Sequence, residues 1–180
     1  MEGSIQIDDL LLAGTHLEGA RARLVWDVAR VDLDGIQAGM DGAALTGKLA
    51  INLRGDRPAY KLSASVKGLG WQSGKVDAEG TFETSGTGGQ LLANLASEGT
   101  FTGAALDFGT LSPWRTVSGT YILTPRLRLS DVNLRTEDES YTGRGSTQDD
   151  GRLLILLTNG AKEMRMTGPL AKLRLEESAK

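Results

Sequence analysis

Cysteine is absent from this 180-residue chain, proline is scarce and histidine occurs once. The missing cysteine excludes disulfides, thiolate metal sites and cysteine nucleophiles. His16 is the only imidazole, so the chain has almost no material for a histidine-rich metal site or a Ser-His-Asp triad. We interpret His16, which lies between two predicted strands, as an exposed turn residue. With no catalytic, metal or cofactor constellation, the sequence predicts a protein that is not an enzyme.

Long hydrophobic runs and clusters of basic residues are also missing. The longest aliphatic run, residues 153–157, is far shorter than the roughly 20 residues that span a bilayer. Lysine and arginine are scattered singly and the net charge is −3, so nucleic acid is not an expected partner. The first residues have no signal-peptide pattern, yet strand-like alternation begins by Ile5. We therefore expect the chain to be a piece of a longer protein.

The pattern that dominates the sequence is alternation of apolar and polar residues with a period of two, which is typical of strands in a two-faced sheet. Alternating rows separated by short turns predict about twelve to fourteen strands in an all-β antiparallel meander, with at most one or two short helices. Residues 89–95 have the only helical spacing. Changes of phase predict a turn or bulge near Ala29 and a bulge at Ser130-Asp131.

A short repeat recurs in this pattern. Residues 79–82, 98–101 and 118–121 read Glu-Gly-Thr-Phe, Glu-Gly-Thr-Phe and Ser-Gly-Thr-Tyr. In a strand each glycine shares a face with the aromatic residue two positions later. The repeat indicates a reused hairpin unit, although chance recurrence is a competing explanation in a chain with 24 glycines. Glycine inside strands indicates sharp bending of the sheet, close approach of another element, or a bulge.

A long meander with one apolar face has to cover that face, by closing into a barrel, by folding into a sandwich, or by curling into a trough that a helix or ligand fills. Few aromatic residues and one short helix favour a taco-like or half-barrel sheet with a partly open apolar groove. The predicted groove-lining residues are Leu24, Trp26, Leu49, Ile51, Leu62, Val66, Phe82, Phe101 and Tyr121.

Over residues 79–168 the order of motifs is a glycine-containing strand, a short leucine-rich helix, a second glycine-containing strand, an alternating row, a Gly-x-Gly strand and an aliphatic strand. The motifs lie at residues 79–82, 91–95, 97–103, 126–134, 141–146 and 151–157. This order resembles the C-terminal region of AsmA-like proteins. The expected organisation is one β-rich domain over residues 1–180, with N-terminal strands in 4–68 and the AsmA-like region in 74–175.

The resemblance implies a bacterial envelope protein in the periplasm, whose parent is anchored in the inner membrane by a segment absent from this chain. Such relatives form elongated β structures with an apolar interior, are associated with outer-membrane homeostasis, and are thought to conduct phospholipids between membranes. It implies phospholipid acyl chains as partners, with no cofactor and no catalytic residues.

The sequence leaves two other functions open. A scaffold module could assist outer-membrane protein assembly by pairing exposed edge strands with envelope proteins. A carbohydrate-binding domain would use Trp71 and Trp114 as stacking surfaces, although both residues are also placed to cap the ends of a sheet.

Overall fold

The computed structural model describes residues 1–12, 14–109 and 113–177 of the chain. In these residues each strand pairs with the next along the sequence, in an unbroken antiparallel order. The strands are β1 (Glu2–Leu12), β2 (Thr15–Trp26), β3 (Arg30–Met40), β4 (Ala43–Asn52), β5 (Ala59–Trp71), β6 (Gly74–Ser85), β7 (Ala96–Leu106), β8 (Trp114–Leu123), β9 (Leu127–Arg135), β10 (Ser140–Thr147), β11 (Leu153–Thr158), β12 (Glu163–Gly168) and β13 (Arg174–Glu177). Helix α1 (Gln90–Ala93) and a 3-10 turn (Leu170–Lys172) complete the fold.

The predicted all-β antiparallel meander with very little helix is confirmed. β1 pairs only with β2, and β13 pairs only with β12, so the strand order has two ends. The taco-like or half-barrel curl stays a prediction. None of the helices in the described residues is long and apolar enough to cross a membrane.

Each change of phase in the sequence pattern corresponds to a turn or a bulge in the structure. Residues 27–29 form the turn predicted near Ala29, where the Asp27 amide donates to the Arg30 carbonyl at 2.9 Å. Asp131 has a left-handed backbone, with φ of 50°, and the β8–β9 pairing shifts register beside it. The predicted bulge after Ser130 is therefore confirmed.

The chain divides into two compact units. Unit 1 comprises Met1–Leu69 and Ala78–Glu98, and unit 2 comprises Gly70–Asp77 and Gly99–Lys180. The expected single domain, with N-terminal strands in 4–68 and an AsmA-like region in 74–175, stays a prediction. The two units differ most clearly in how they bury apolar side chains.

Unit 2 has a dense hydrophobic core. Trp114 lies edge-on to Tyr141 with ring centroids 5.8 Å apart, and Trp71 lies edge-on to Phe108 at 5.7 Å. The Trp71 indole N–H also donates to the Leu170 carbonyl at 3.2 Å. The buried core residues are Leu106, Phe108, Trp114, Val117, Leu129, Val132, Leu134, Tyr141, Leu153, Ile155, Leu157, Met164, Met166 and Leu173.

Unit 1 lacks such a core in the part of the chain that the structure describes. Ala43 is its only fully buried hydrophobic residue. The other apolar side chains of its strands keep part of their surface accessible, despite the same alternation as in unit 2. Unit 1 therefore has an apolar sheet face with exposed surface, a feature that is typical of binding sites.

Candidate functional site

A row of leucines crosses four neighbouring strands of unit 1. Leu33 of β3 lies opposite Leu24 of β2 on one side and opposite Leu49 of β4 on the other. Leu49 in turn lies opposite Leu62 of β5. Directly opposed residues of an antiparallel pair point to the same face, so the four side chains lie side by side.

Further rows extend the same apolar face in both directions along the strands. One row consists of Trp26, Val31, Ile51 and Tyr60. Two others consist of Ile36, Gly47 and Ala64, and of Ala38, Leu45 and Val66. On β1, Ile5 lies opposite Ala22 and Ile7 opposite Ala20. We call this set of rows the apolar face of unit 1.

Six of the nine predicted lining residues lie together on the apolar face. They are Leu24, Trp26, Leu49, Ile51, Leu62 and Val66. Five of them are half-buried and Trp26 is 48% exposed. A packed sheet-on-sheet interface would bury such residues almost completely, as unit 2 does with its core. The surface left exposed is therefore available to an apolar ligand.

The other three predicted lining residues have different surroundings. Phe82 is a half-buried residue of β6 in unit 1. Phe101 and Tyr121 belong to unit 2, where both pack against the buried core. One side of each half-buried ring therefore contacts the hydrophobic core of unit 2.

The dimensions of the apolar face suit an extended hydrocarbon chain. From β1 to β5 there are four interstrand spacings of about 4.8 Å, which makes the face about 19 Å wide across the strands. One acyl chain occupies about half of the roughly 30 Å hydrocarbon core of a bilayer. A chain laid across the strands would therefore contact several rows of aliphatic side chains.

The opposite face of unit 1 is polar and joined by cross-strand ion pairs. Lys48 of β4 contacts the Asp34 carboxylate of β3 at 2.8 Å, and the ammonium group lowers the pKa of that carboxyl. Arg23 contacts Glu2 at 2.7 Å and lowers its pKa in the same way. Lys61 of β5 contacts Glu83 of β6 at 2.7 Å. This face is suited to water, so unit 1 is an amphipathic sheet.

The sequence prediction missed several residues of the apolar face. Val31, Leu33, Ile36, Leu45 and Tyr60 complete its rows. Their alternation within β3, β4 and β5 was a sufficient signal to place them on the same face as the predicted residues. The prediction omitted these residues because it did not apply the period of two to every strand.

The described residues contain no cluster of side chains with the composition of a metal site. No three His, Asp or Glu side chains come together there as a metal site. His16 is exposed, as predicted, but it lies within β2, opposite Leu11 of β1, and not in a turn. Its ring nitrogens lie 2.9 Å from Asp9 and 3.2 Å from Glu18. Trp114 is only 4% exposed, so its ring offers no surface for stacking a sugar.

No family model matches the chain, and no curated protein or solved structure is significantly similar to it.

Proposed function

We propose that this chain is a non-enzymatic lipid-binding segment, which shields phospholipid acyl chains on the apolar face of unit 1. The observation that carries the proposal is a set of directly opposed aliphatic rows whose side chains remain partly exposed. Monomeric proteins rarely leave a large contiguous apolar surface without a partner or ligand.

The chemistry of this face matches a hydrocarbon ligand. Its rows contain aliphatic side chains with an aromatic ring at each end of the Trp26–Tyr60 row, and they present no charged group. Each methylene group that leaves water contributes about 0.8 kcal/mol, so an acyl chain that covers several rows gains several kcal/mol. The polar opposite face keeps such a complex in water.

The wider setting of the proposal comes from the resemblance to AsmA-like proteins. We propose a periplasmic location, a parent anchored in the inner membrane and a role in outer-membrane biogenesis, with passage of lipid along the groove. These points depend on the sequence motifs of residues 79–168, whereas acyl-chain binding depends on the geometry of unit 1.

Mass spectrometry and photo-crosslinking test the proposed function together. Protein purified from a bacterial envelope should carry phospholipid, and a photo-crosslinker placed at Leu49 should capture it. The matched control position is Thr46, an exposed β4 residue on the polar face. Absence of retained phospholipid, together with equal crosslinking at both positions, would refute acyl-chain binding.

A second function, a scaffold that assists outer-membrane protein assembly, is favoured by one observation. β1 has 11 residues and pairs only with β2 in the described structure, so its other edge is free to accept a strand. Gln6→Pro would weaken strand addition at the free edge of β1, whereas a charged residue on the apolar face would not. Recovery of an envelope protein in pull-downs that Gln6→Pro abolishes would favour the scaffold.

A further inference from the structure

One end of the unit 1 sheet consists of three connections held side by side by backbone hydrogen bonds. The Leu53 amide donates to the Ala29 carbonyl at 2.8 Å, which joins the β2–β3 turn to the β4–β5 loop. The Gly86 amide donates to the Pro58 carbonyl at 2.9 Å, which joins that loop to the connection that contains α1. We call this end, residues 26–30, 53–58 and 86–94, the rim.

Each of the three connections of the rim presents an aliphatic side chain to solvent. Val28 is 100% exposed, Leu92 is 80% exposed and Leu53 is 42% exposed. Turns normally contain Gly, Pro, Asn, Asp or Ser, because these residues meet the backbone and hydrogen-bonding needs of a turn. The β3–β4 turn follows this rule with Asp41 and Gly42, which have φ of 48° and 79°. Apolar tips on all three connections of the rim are thus not explained by turn formation.

The spacing of the tips does not resemble a protein-binding patch. Successive connections at one end of a meander lie two strands apart, or about 10 Å. At this spacing the three aliphatic chains are separate, so they do not form the contiguous apolar centre of a protein interface. Separate aliphatic chains can, however, each enter the acyl region of a bilayer while the polar residues between them stay among the headgroups.

The other rim residues also suit a membrane surface. Trp26 is 48% exposed next to the β2–β3 turn, and tryptophan is enriched where a bilayer meets water. Arg54 and Arg57 make no direct side-chain ion pair within the described residues, and Arg54 interacts with Asp27 only at longer range, so both guanidinium groups are available to lipid phosphate. Asp27 and Asp56 balance these charges, and Arg30 is held by Asp32 at 2.7 Å. Apolar insertion, and not net charge, would then supply the binding.

We propose that the rim docks on the surface of a lipid bilayer, with Val28, Leu53 and Leu92 inserted and Arg54 and Arg57 at the phosphates. This surface adjoins the apolar face that binds an acyl chain in the proposed function, and the two share only Trp26. Docking would place the end of the apolar face next to a source of lipid, since the row Trp26, Val31, Ile51 and Tyr60 lies nearest the rim.

Vesicle flotation with the full chain tests the proposal. Vesicles of phosphatidylcholine, with or without phosphatidylglycerol, should both bind the protein, with little dependence on salt. The triple variant Val28→Ser, Leu53→Ser, Leu92→Ser should bind about tenfold more weakly or worse, because binding scales with inserted apolar area. The matched control, Leu11→Ser, Ile122→Ser, Leu156→Ser, removes three exposed aliphatic chains outside the rim and should bind normally.

Insertion can be observed directly because the natural chain has no cysteine. A polarity-sensitive fluorophore on Val28→Cys should shift to the blue with phosphatidylcholine vesicles, and the same label on Leu156→Cys should not. Equal flotation of the rim variant and the natural protein would overturn the proposal, as would binding to anionic vesicles alone. A blue shift that depends on protein concentration without vesicles would indicate self-association instead and would also overturn it.

The two proposals can fail separately. Leu62→Asp, on the apolar face, should lose acyl-chain binding and keep vesicle binding, whereas the rim variant should do the reverse. If Leu62→Asp abolishes vesicle flotation as well, the rim is not an independent docking surface.

Discussion

Gly119 of β8 leaves room for the ring of Phe101 in β7: a Cβ atom on Gly119 would lie 2.8 Å from the Phe101 Cζ atom. The two residues belong to successive copies of the Gly-Thr-aromatic repeat. Phe101 is the aromatic residue of the second copy, and Gly119 is the glycine of the third. In unit 2 the repeat is therefore a packing device, in which one copy provides the ring and the next provides the space.

The first prediction concerns Gly119→Ala. The added methyl group would meet the Phe101 ring and, at 3.3 Å, the Ser130 carbonyl oxygen, so we expect a loss of about 1–3 kcal/mol in the free energy of unfolding. Urea unfolding measures this loss. Phe101→Leu should partly rescue the variant, because a shorter side chain frees the space. Strict additivity of the two substitutions would contradict the assigned contact.

The second prediction separates the two units by stability. Leu134 is 1% exposed in the core of unit 2, so Leu134→Ala should cost about 2–5 kcal/mol through lost burial and a residual cavity. Leu49→Ala, on the half-buried apolar face of unit 1, should cost about 1 kcal/mol, because water already reaches that side chain. Urea unfolding of both variants provides the comparison. Equal losses would mean that Leu49 is part of a closed core.

The third prediction concerns acid stability. The Glu139 carboxylate accepts hydrogen bonds of 2.7 Å from the Lys162 ammonium and the Tyr141 hydroxyl, and these two contacts, with Lys162 first, lower its pKa below the usual 4.5. A lowered folded-state pKa stabilises the fold above pH 4.5, and this contribution is lost as the pH falls through the lowered value.

Glu139→Gln should therefore be less stable than the natural protein at neutral pH, and its stability should fall less steeply below pH 4.5. Urea midpoints measured across the acid range give both quantities. Glu137→Gln serves as the control, since the Glu137 side chain makes no ion pair or hydrogen bond in the part of the chain described here. Parallel pH profiles for natural protein and Glu139→Gln would contradict the role of Glu139.

Periodicity alone was enough to predict the fold class. Alternation of residues such as Leu49 and Ile51 with polar neighbours predicted the strands, and the phase changes near Ala29 and Asp131 predicted a turn and a bulge that the structure confirms. The close approach of another element, one of three reasons given for strand glycines, applies at Gly47. A Cβ atom there would lie 2.7 Å from the Ser63 carbonyl oxygen of β5.

Periodicity could not show which apolar rows are covered. Leu62 in unit 1 and Leu134 in unit 2 occupy equivalent positions in alternating strands, yet only Leu134 is fully buried. Coverage depends on contacts between residues far apart in sequence, such as that of Trp114 with Tyr141, and local patterns do not encode such contacts. The rim tips were missed for a simpler reason, because the alternation continues through Val28 and Leu53 and does not show that β2 ends at Trp26 and β4 at Asn52.

Acyl-chain binding by Leu62→Asp and Ser63→Asp is the most direct test of the central claim. The two positions are adjacent on β5, but Leu62 faces the apolar rows and exposed Ser63 faces the polar side, opposite Lys48. Displacement of a fluorescent fatty acid from the purified protein measures affinity for both variants. We expect Leu62→Asp to weaken binding about tenfold or more, because a carboxylate would have to lose water against the hydrocarbon, and Ser63→Asp to leave it unchanged. Equal affinity of the two variants and the natural protein would contradict a binding site on the apolar face of unit 1.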